Sequence, residues 1–178
     1  LLENNFYLSF GEHLFKQIGG TMKLRDESRS LDEDQLKNIL WKKDLFEQRI
    51  YPMGRRSGEF HPVVINNDKL IEDRKYQRYW SVIQTCQAVP YADAEELLEK
   101  VNREGLGGQY RWRLPTVEEI LVLVPNQLMM KGLLASYDVL WTVDGPERDY
   151  RWVLLPDTGS LRRYHERERG LLLAVCHI

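Results

Sequence analysis

Apolar residues recur every three or four positions in two stretches of the chain, which is the spacing of one face of an α-helix. The first stretch covers 30–50, and Ser30 with Glu33 has the spacing of a capping box. The second covers 91–103 and runs into glycines, which favour a helix end. The residues predicted to face inward are Leu36, Ile39, Leu40 and Phe46 in the first helix and Ala94, Leu97, Leu98 and Val101 in the second.

Seven short apolar runs, each bounded by turn residues, predict β-strands. They lie at 60–65, 69–73, 79–83, 139–143, 150–155, 161–165 and 171–177. Asn66 and Asn67 separate the first two runs, and asparagine tolerates the left-handed backbone of a tight turn. Turns are also predicted at 144–146 and 156–160. Strands on both sides of two helices indicate an α+β fold with an antiparallel sheet flanked by two helices.

A basic link, Arg55-Arg56-Ser57-Gly58, divides the chain into an N-terminal helical extension, 1–58, and a main domain, 59–178. An arginine pair can bind phosphate or carboxylate groups, but a solvated linker is the more common use of such a pair. An imperfect apolar stripe at 6–18 predicts a helix, or a short strand followed by a helix. The apolar segment 126–136, with Met129 and Met130, is predicted to be core or a covering loop.

The most distinctive string is Trp112-Arg113-Leu114-Pro115-Thr116, followed by Glu118 and Glu119. The residue before a proline is held out of the helical region, so Leu114 predicts the end of an extended segment. Thr116 and Glu119 have capping-box spacing, although Pro115 at the first helical position would put the cap at Leu114. We therefore expect a sharp corner with Trp112 in the core. The arginines at this corner should bind backbone carbonyls or acids.

With its surroundings, this string resembles the Lcl C-terminal domain family of bacterial proteins. The resemblance covers roughly two thirds of the chain, and the corner is its specific motif. Looser matches are Val63, Trp80, the helix 91–102, Gly105, Gly107, Gly108, Leu140-Trp141-Thr142 and the last strand, 172–176. In the resembled family the corner is structural, which assigns that role to Trp112, Arg113, Leu114, Pro115, Thr116 and Glu119.

The resemblance implies a C-type-lectin-like fold, which is shared with formylglycine-generating enzymes. It also implies that the first and last strands pair, which would place 63–65 beside 172–175. Members of the family are associated with adhesion and with glycan or polyanion binding. A formylglycine-generating activity would need a reactive cysteine pair or an iron site, and the sequence contains no motif for either.

Composition excludes several classes of protein. The 178 residues are 43% hydrophobic and 29% charged, which suits one medium-sized folded domain with an extension. The formal net charge is -2, and this balance argues against a nucleic-acid binder. No apolar run is long enough for a membrane span. The chain starts with neither a methionine nor a signal sequence, so a fragment or processed chain is expected.

The titratable residues do not predict a catalytic or metal site. The histidines, His13, His61, His165 and His177, lack ligand spacing. Two turns, at Asp144 and Asp157, could offer oxygen atoms to calcium, but ordinary turns are the simpler interpretation. The paired acids Glu95-Glu96 and Glu118-Glu119 are predicted to be solvated on helix faces. We expect no cofactor.

The two cysteines bear on the cellular compartment. Cys86 and Cys176 are too few for a disulfide scaffold, and their spacing leaves pairing open. The resembled family often has a cysteine in its first helix, where this chain has Leu97-Leu98. Without that cysteine, Cys176 lacks the partner it has in the family, which favours a reducing compartment such as the cytoplasm. A secreted or cell-surface protein is expected instead if a signal was removed.

The last thirty residues combine arginines with aromatic side chains, a composition that an anionic ligand would select. Strand alternation predicts Tyr150 and Trp152 on one face and Arg151 on the other. Because acids such as Glu147 and Glu166 are interspersed, internal ion pairing is the more common use of such arginines, and ligand binding is the alternative. The predicted ligand-binding residues are Trp141, Arg148, Tyr150, Arg151, Trp152, Arg162, Arg163 and Tyr164.

The sequence therefore predicts a non-enzymatic binding module of a bacterial protein, with a glycan, polyanion or protein as partner. The first alternative is an intracellular interaction or sensor domain of a larger signalling protein. The second is an enzyme of the formylglycine-generating type. Oligomerisation is left open.

Overall fold

A computed structural model describes residues 22–83, 87–126 and 139–178 of the chain. Within these ranges the chain forms three α-helices: α1 (Glu33–Lys43), α2 (Tyr91–Glu104) and α3 (Val117–Leu121). A short 3-10 helix, Leu106–Gly108, follows α2. The strands are β1 (Phe60–Ile65), β2 (Asp68–Asp73), β3 (Arg78–Ile83), β4 (Leu140–Trp141), β5 (Tyr150–Leu155), β6 (Ser160–His165) and β7 (Leu172–His177).

The strands form two antiparallel sheets, so the predicted α+β class and antiparallel pairing are confirmed. One sheet has the order β1-β2-β3-β7, and the other has the order β4-β5-β6. The sequence predicted one sheet, not two. The two sheets meet where the Trp141 amide donates to the Leu171 carbonyl at 3.2 Å, just before β7.

The strand β7 pairs with β3 along its whole length, from Arg78 opposite His177 to Ile83 opposite Leu172. The predicted pairing of 63–65 with 172–175 is therefore wrong. β1 is an edge strand, and it contains Pro62, which has no N–H to donate to a neighbour. β7 is instead buried from Leu172 to Cys176, and burial on both faces suits a strand covered by other elements.

The helix α1 is shorter than the sequence predicted. Its cap is Asp32, which forms a capping box with Gln35, and not Ser30 with Glu33. It ends at Lys43 rather than near residue 50, because Asp44 takes a left-handed backbone with φ of 53°. The amide of Asp44 bonds back to carbonyls of the last turn, which closes the helix.

The predictions around β1, β2 and α2 are confirmed. Asn66 and Asn67 form the turn with φ of 52° and 71°, the left-handed region that asparagine tolerates. Gly105 ends α2 with φ of 75°. The chain then folds back onto the first hairpin, where the Gly107 amide donates to the Asp68 carboxylate at 2.7 Å.

The described part of the predicted extension packs into the same core as the strands. Leu24, Leu36 and Leu40 are fully buried, and they belong to one hydrophobic cluster with Trp80 and Trp152. The Trp152 indole also donates to the Leu31 carbonyl at 2.8 Å. A division of the chain at residue 58 stays a prediction, but 22–58 contributes part of the main core.

The distinctive string forms the predicted corner. Thr116 caps α3 and accepts the Glu119 amide at 3.3 Å, while the Glu119 carboxylate accepts the Thr116 amide at 2.8 Å. The cap is therefore Thr116 and not Leu114. Trp112 is only 2% exposed, as expected of a core residue. The side chain of Asn102 in α2 binds the Trp112 amide and carbonyl, at 2.6 and 2.8 Å, and fixes the approach to the corner.

Glu119 is the acid that binds the corner arginine, Arg113, as the sequence predicted. Its carboxylate accepts two hydrogen bonds from Arg113, both at 2.7 Å, and one from Arg78 at 2.6 Å. The Glu119 side chain is fully buried and that of Arg78 is 2% exposed. The prediction that Glu118 and Glu119 are solvated is therefore wrong.

Glu118 holds the N-terminal segment against α3. Its carboxylate accepts hydrogen bonds from the Lys43 ammonium at 2.6 Å and from the Arg25 amide at 2.7 Å. The Arg25 guanidinium also binds both carboxylate oxygens of Asp144, at 2.8 and 2.7 Å. Asp144 is thus a buried ion-pair partner and not part of an ordinary turn. The predicted strand 139–143 is shorter in the structure, where it spans only Leu140–Trp141.

Three predictions lie outside the described residues. They are the stripe at 6–18, the segment containing Met129 and Met130, and the question, left open by the sequence, of whether Cys86 pairs with Cys176.

Replacing Glu119 with glutamine should lower the free energy of unfolding by about 3 kcal/mol, because Arg78 and Arg113 would keep their buried charges without a counter-charge. Urea unfolding followed by circular dichroism measures this change. The matched control is Glu95→Gln on the exposed face of α2, which should alter stability by less than about 0.5 kcal/mol. Equal effects of the two substitutions would contradict a stabilising role for the Glu119 network.

Candidate functional site

The predicted ligand-binding residues lie mainly on the hairpin of β5 and β6, whose two faces differ. Trp152 lies opposite Arg163, and Val153 lies opposite Arg162. Directly opposed residues share a face of the sheet. Arg162 and Arg163 are therefore on opposite faces, although they are adjacent in sequence. Tyr150 and Trp152 share one face, with Arg151 on the other, as the alternation predicted.

On the Arg151 face, aromatic rings and charges form one cluster. The guanidinium of Arg151 lies over the Tyr91 ring, 4.4 Å from its centroid, and pairs with Glu166 at 2.7 Å. Trp141 meets Tyr91 edge to face, with ring centroids 5.6 Å apart. Tyr164 meets Trp141 in the same way at 6.4 Å. The cluster ties the start of α2 to the second sheet, so its members already have partners within the fold.

Trp141 and Trp152 are core residues, which corrects their assignment to a ligand surface. Trp141 is 0% exposed and Trp152 is 2% exposed. The Trp141 indole donates to the Val89 carbonyl at 2.9 Å, and Gly170 packs so closely that an added Cβ would lie 2.8 Å from the same nitrogen. A ligand on the surface would touch neither indole.

On the opposite face, Arg163 lies over the Tyr150 ring at 4.9 Å and forms an ion pair with Glu147. The ring of His165 meets Tyr150 edge to face at 5.1 Å. Arg163 is 46% exposed at its side chain, so a ligand could reach it only in competition with Glu147. The expectation of internal ion pairing is confirmed here and at Arg151.

Two of the arginines predicted to bind a ligand have guanidinium groups that solvent, and therefore a ligand, can reach. Arg148 is 95% exposed, and its nearest acid, Asp149, is 3.8 Å away. Arg162 is exposed on β6, an edge strand of its sheet, and its side chain forms no hydrogen bond or ion pair within the described ranges. The surface left for a ligand is therefore smaller than predicted, and Arg162 is its most available group.

A second charged site is lined by none of the predicted ligand-binding residues. A cavity of about 490 Å³ opens where the turn between β2 and β3 meets the end of β7 and the segment before α1. Arg78 and Tyr76 are buried, whereas Lys23 and Lys75 are exposed. The polar and charged residues that line the cavity are Lys23, Asp26, Lys75, Tyr76, Gln77, Arg78 and His177.

This site is not evident from the sequence, because its residues come from three separate parts of the chain. Within the lining, the imidazole of His177 lies 3.2 Å from the Asp26 carboxylate. Burial and the charges of Arg78 and Arg113 lower the pKa of His177, while Glu119 and Asp26 oppose that shift. His177 therefore favours its neutral form at neutral pH. The basic turn 74–78 was the one local signal available.

Three observations concern metal binding, thiol chemistry and membrane spans in the described residues. No group of three or more His, Cys, Asp or Glu side chains in 22–83, 87–126 and 139–178 is arranged to hold a metal ion. Cys176 is buried in β7, and burial raises the pKa of its thiol, which disfavours the reactive thiolate. No described helix has both the length and the apolar character needed to cross a membrane.

No protein-family model matches this chain, and a search of curated proteins finds no significant match. The resemblance of the corner string to the Lcl C-terminal domain family therefore stays a prediction.

The Tyr91 phenol gives a test of the aromatic cluster. Burial, opposed by the Arg151 cation, raises the pKa of Tyr91 to about 12. An unfolded tyrosine titrates near pH 10, so the unfolded state loses this proton first. The contribution of Tyr91 to stability is complete below pH ~10 and is lost as the pH rises towards 12. Tyr91→Phe should therefore make the alkaline loss of stability shallower, as measured by urea unfolding at several pH values.

The control is Tyr110→Phe, because Tyr110 is 65% exposed. It should leave the pH dependence unchanged. The same slope for all three proteins would show that Tyr91 titrates normally.

Proposed function

We propose that this chain is a non-enzymatic binding module of a bacterial protein and that its ligand is a sulfated glycan or another polyanion. The observation that carries the proposal is Arg162, an exposed guanidinium on an edge strand with no acidic partner in the described ranges. The planar guanidinium can donate two parallel hydrogen bonds to a sulfate, phosphate or carboxylate group. An unpaired arginine at an accessible edge therefore suits an anionic ligand.

Neighbouring groups extend this surface. Arg148 precedes β5, and its side chain is 95% exposed. Arg163 lies on the opposite face of the hairpin from Arg162. It forms an ion pair with Glu147, so an anionic ligand would compete with that carboxylate for it. A chain with repeated anionic groups could contact both faces by passing around the edge of β6. A small ligand with one charged group would use Arg162 or Arg163, but not both.

The proposal includes a C-type-lectin-like arrangement for the part of the chain from β1 onward. It is supported by the buried corner with its capping box and by helices that lie between the early and late strands. The strand order departs from the expectation, because β3 and not β1 lies next to β7. The position of the ligand surface does not depend on that pairing, since β5 and β6 belong to the other sheet.

Docking to another protein is the second candidate function. Trp41 in α1 is 57% exposed, and tryptophan is enriched among residues that dominate protein interfaces. Trp41 lies in the N-terminal part of the chain and is distant in sequence from the arginines of the β5–β6 hairpin. A docking role would therefore be lost on Trp41→Ala and kept when Arg162 is replaced.

The test is the binding of heparin, a sulfated polysaccharide, to the whole chain and to Arg162→Glu, measured by isothermal titration calorimetry. Reversal of the charge should weaken binding about tenfold or more, since one ionic hydrogen-bonding group is lost and a repulsive one is added. Raising the salt concentration should weaken the binding of the unmodified chain, because exposed charges are screened.

Arg103→Glu is the matched control, because Arg103 is an exposed arginine of α2 with a 69% exposed side chain. It makes the same change in net charge and should have a much smaller effect. Equal losses in the two variants would indicate unspecific attraction to the whole molecule. Absence of heparin binding to the unmodified chain would contradict the proposal and leave protein docking as the better function.

A further inference from the structure

The cavity beside the end of β7 has an excess of positive charge. Lys23, Lys75 and Arg78 line it, against one acidic side chain, Asp26. The Arg78 guanidinium pairs with Glu119, which also binds Arg113, and the buried Asp73 carboxylate acts on Arg78 as well. The excess of positive charge therefore comes from the two exposed lysines. A positive field in a concave site attracts anions and raises their local concentration.

We propose that this cavity binds the phosphate group of a small phosphate-containing molecule. The volume of about 490 Å³ lies in the usual range for small-molecule sites and exceeds the space that a bare phosphate ion fills. Lys23 and Lys75 are both exposed. The Lys75 ammonium donates to the Ser57 carbonyl at 2.7 Å and keeps two further N–H donors for an entering anion. Arg78 lies deeper and supplies the buried positive charge.

Two polar atoms beneath the opening have no protein partner. The Nε of Arg78 and the hydroxyl of Tyr76 are both buried, and no described residue forms a hydrogen bond to either. The Arg78 guanidinium lies over the Tyr76 ring, 5.7 Å from its centroid, so the two residues form one layer. Buried polar groups are usually hydrogen-bonded, and both atoms are donors. Because both are shielded from the cavity, they would bind an anionic oxygen only after their side chains shift towards it.

His177 suits a ligand with a phosphate group better than one with a carboxylate. Its imidazole is about half exposed and lies 3.2 Å from Asp26, at the opening of the cavity. The second proton of a phosphate monoester has a pKa near 6, so the ester carries close to two negative charges at neutral pH. Such a dianion balances the lysines more fully than a carboxylate does, and it would stabilise the protonated form of His177.

This site is independent of the proposed polyanion surface, because it uses none of the same residues. Loss of heparin binding on Arg162→Glu would leave it unaffected. Conversely, failure of phosphate binding would not bear on Arg162. The two proposals therefore succeed or fail separately.

The experiment is calorimetric titration of the whole chain with glycerol 3-phosphate, inorganic phosphate, acetate and glycerol. Binding of either phosphate probe, at least about tenfold tighter than acetate, is the expected result. Tighter binding of glycerol 3-phosphate would assign a phosphate ester as the ligand, and equal binding would assign free phosphate. Lys23→Ala combined with Lys75→Ala should weaken the binding about tenfold or more.

Both lysines are exposed, so the double variant should fold, and circular dichroism checks that it does. The matched control is Lys100→Ala with Lys42→Ala, which removes two exposed lysines from α2 and α1. It should bind phosphate as the unmodified chain does. The proposal is overturned if neither phosphate probe binds, if acetate binds as tightly, or if the two double variants behave alike.

Nuclear magnetic resonance of the His177 ring locates the bound phosphate. Glycerol 3-phosphate in the cavity should raise the pKa of His177, because a dianion favours the imidazolium. An unchanged titration despite phosphate binding would place the ligand elsewhere and overturn the proposal. The charged groups that act on this imidazole are Asp26, Arg78, Arg113 and Glu119, with Lys23 and Lys75 at the same cavity.

Discussion

The fold depends on the burial of two adjacent carboxylates, Glu118 and Glu119, at the start of α3. Glu119 is the shared counter-charge of Arg78 from β3 and of Arg113, which pairs with Val175 of β7. Glu118 binds Arg25 from the N-terminal segment. Removing a charged group from water is costly unless each charge has a partner and its hydrogen bonds are satisfied. The helix is therefore stable in this position only when the first sheet and the N-terminal segment are both in place.

The same constraint explains why 22–58 and the strands share a core. Arg25 binds Glu118 and also Asp144, which precedes β5, so one guanidinium joins α3 to the second sheet. Leu24, the neighbouring residue, is fully buried in the cluster that contains Trp80. Ionic and apolar contacts thus fix the same segment. A helical extension without these contacts would be free to pack elsewhere.

The sequence predicted features whose cause is local. The Asn66-Asn67 turn, the Gly105 helix end and the Thr116 cap depend on residues within a few positions of each other. The partners of Glu118 and Arg78 could not be predicted in this way, since Arg25 is 93 positions from Glu118 and Arg78 is 41 from Glu119. The order of the strands was missed for the same reason. Apolar runs predict that β1 and β7 are strands, but not which neighbour each one pairs with.

The arginines available to a ligand were harder to predict than the strands, because their availability depends on the acids that surround each one in space. Arg151, Arg162 and Arg163 look alike in the sequence, yet two of them neutralise Glu166 and Glu147 and one has no acidic partner in the described ranges. Strand alternation separates the faces but does not place the acids. An excess of positive charge at the β7 cavity likewise arises only when segments distant in sequence meet. In a chain with nearly balanced charge, the groups open to an anion are therefore the cations whose ion pairing is incomplete.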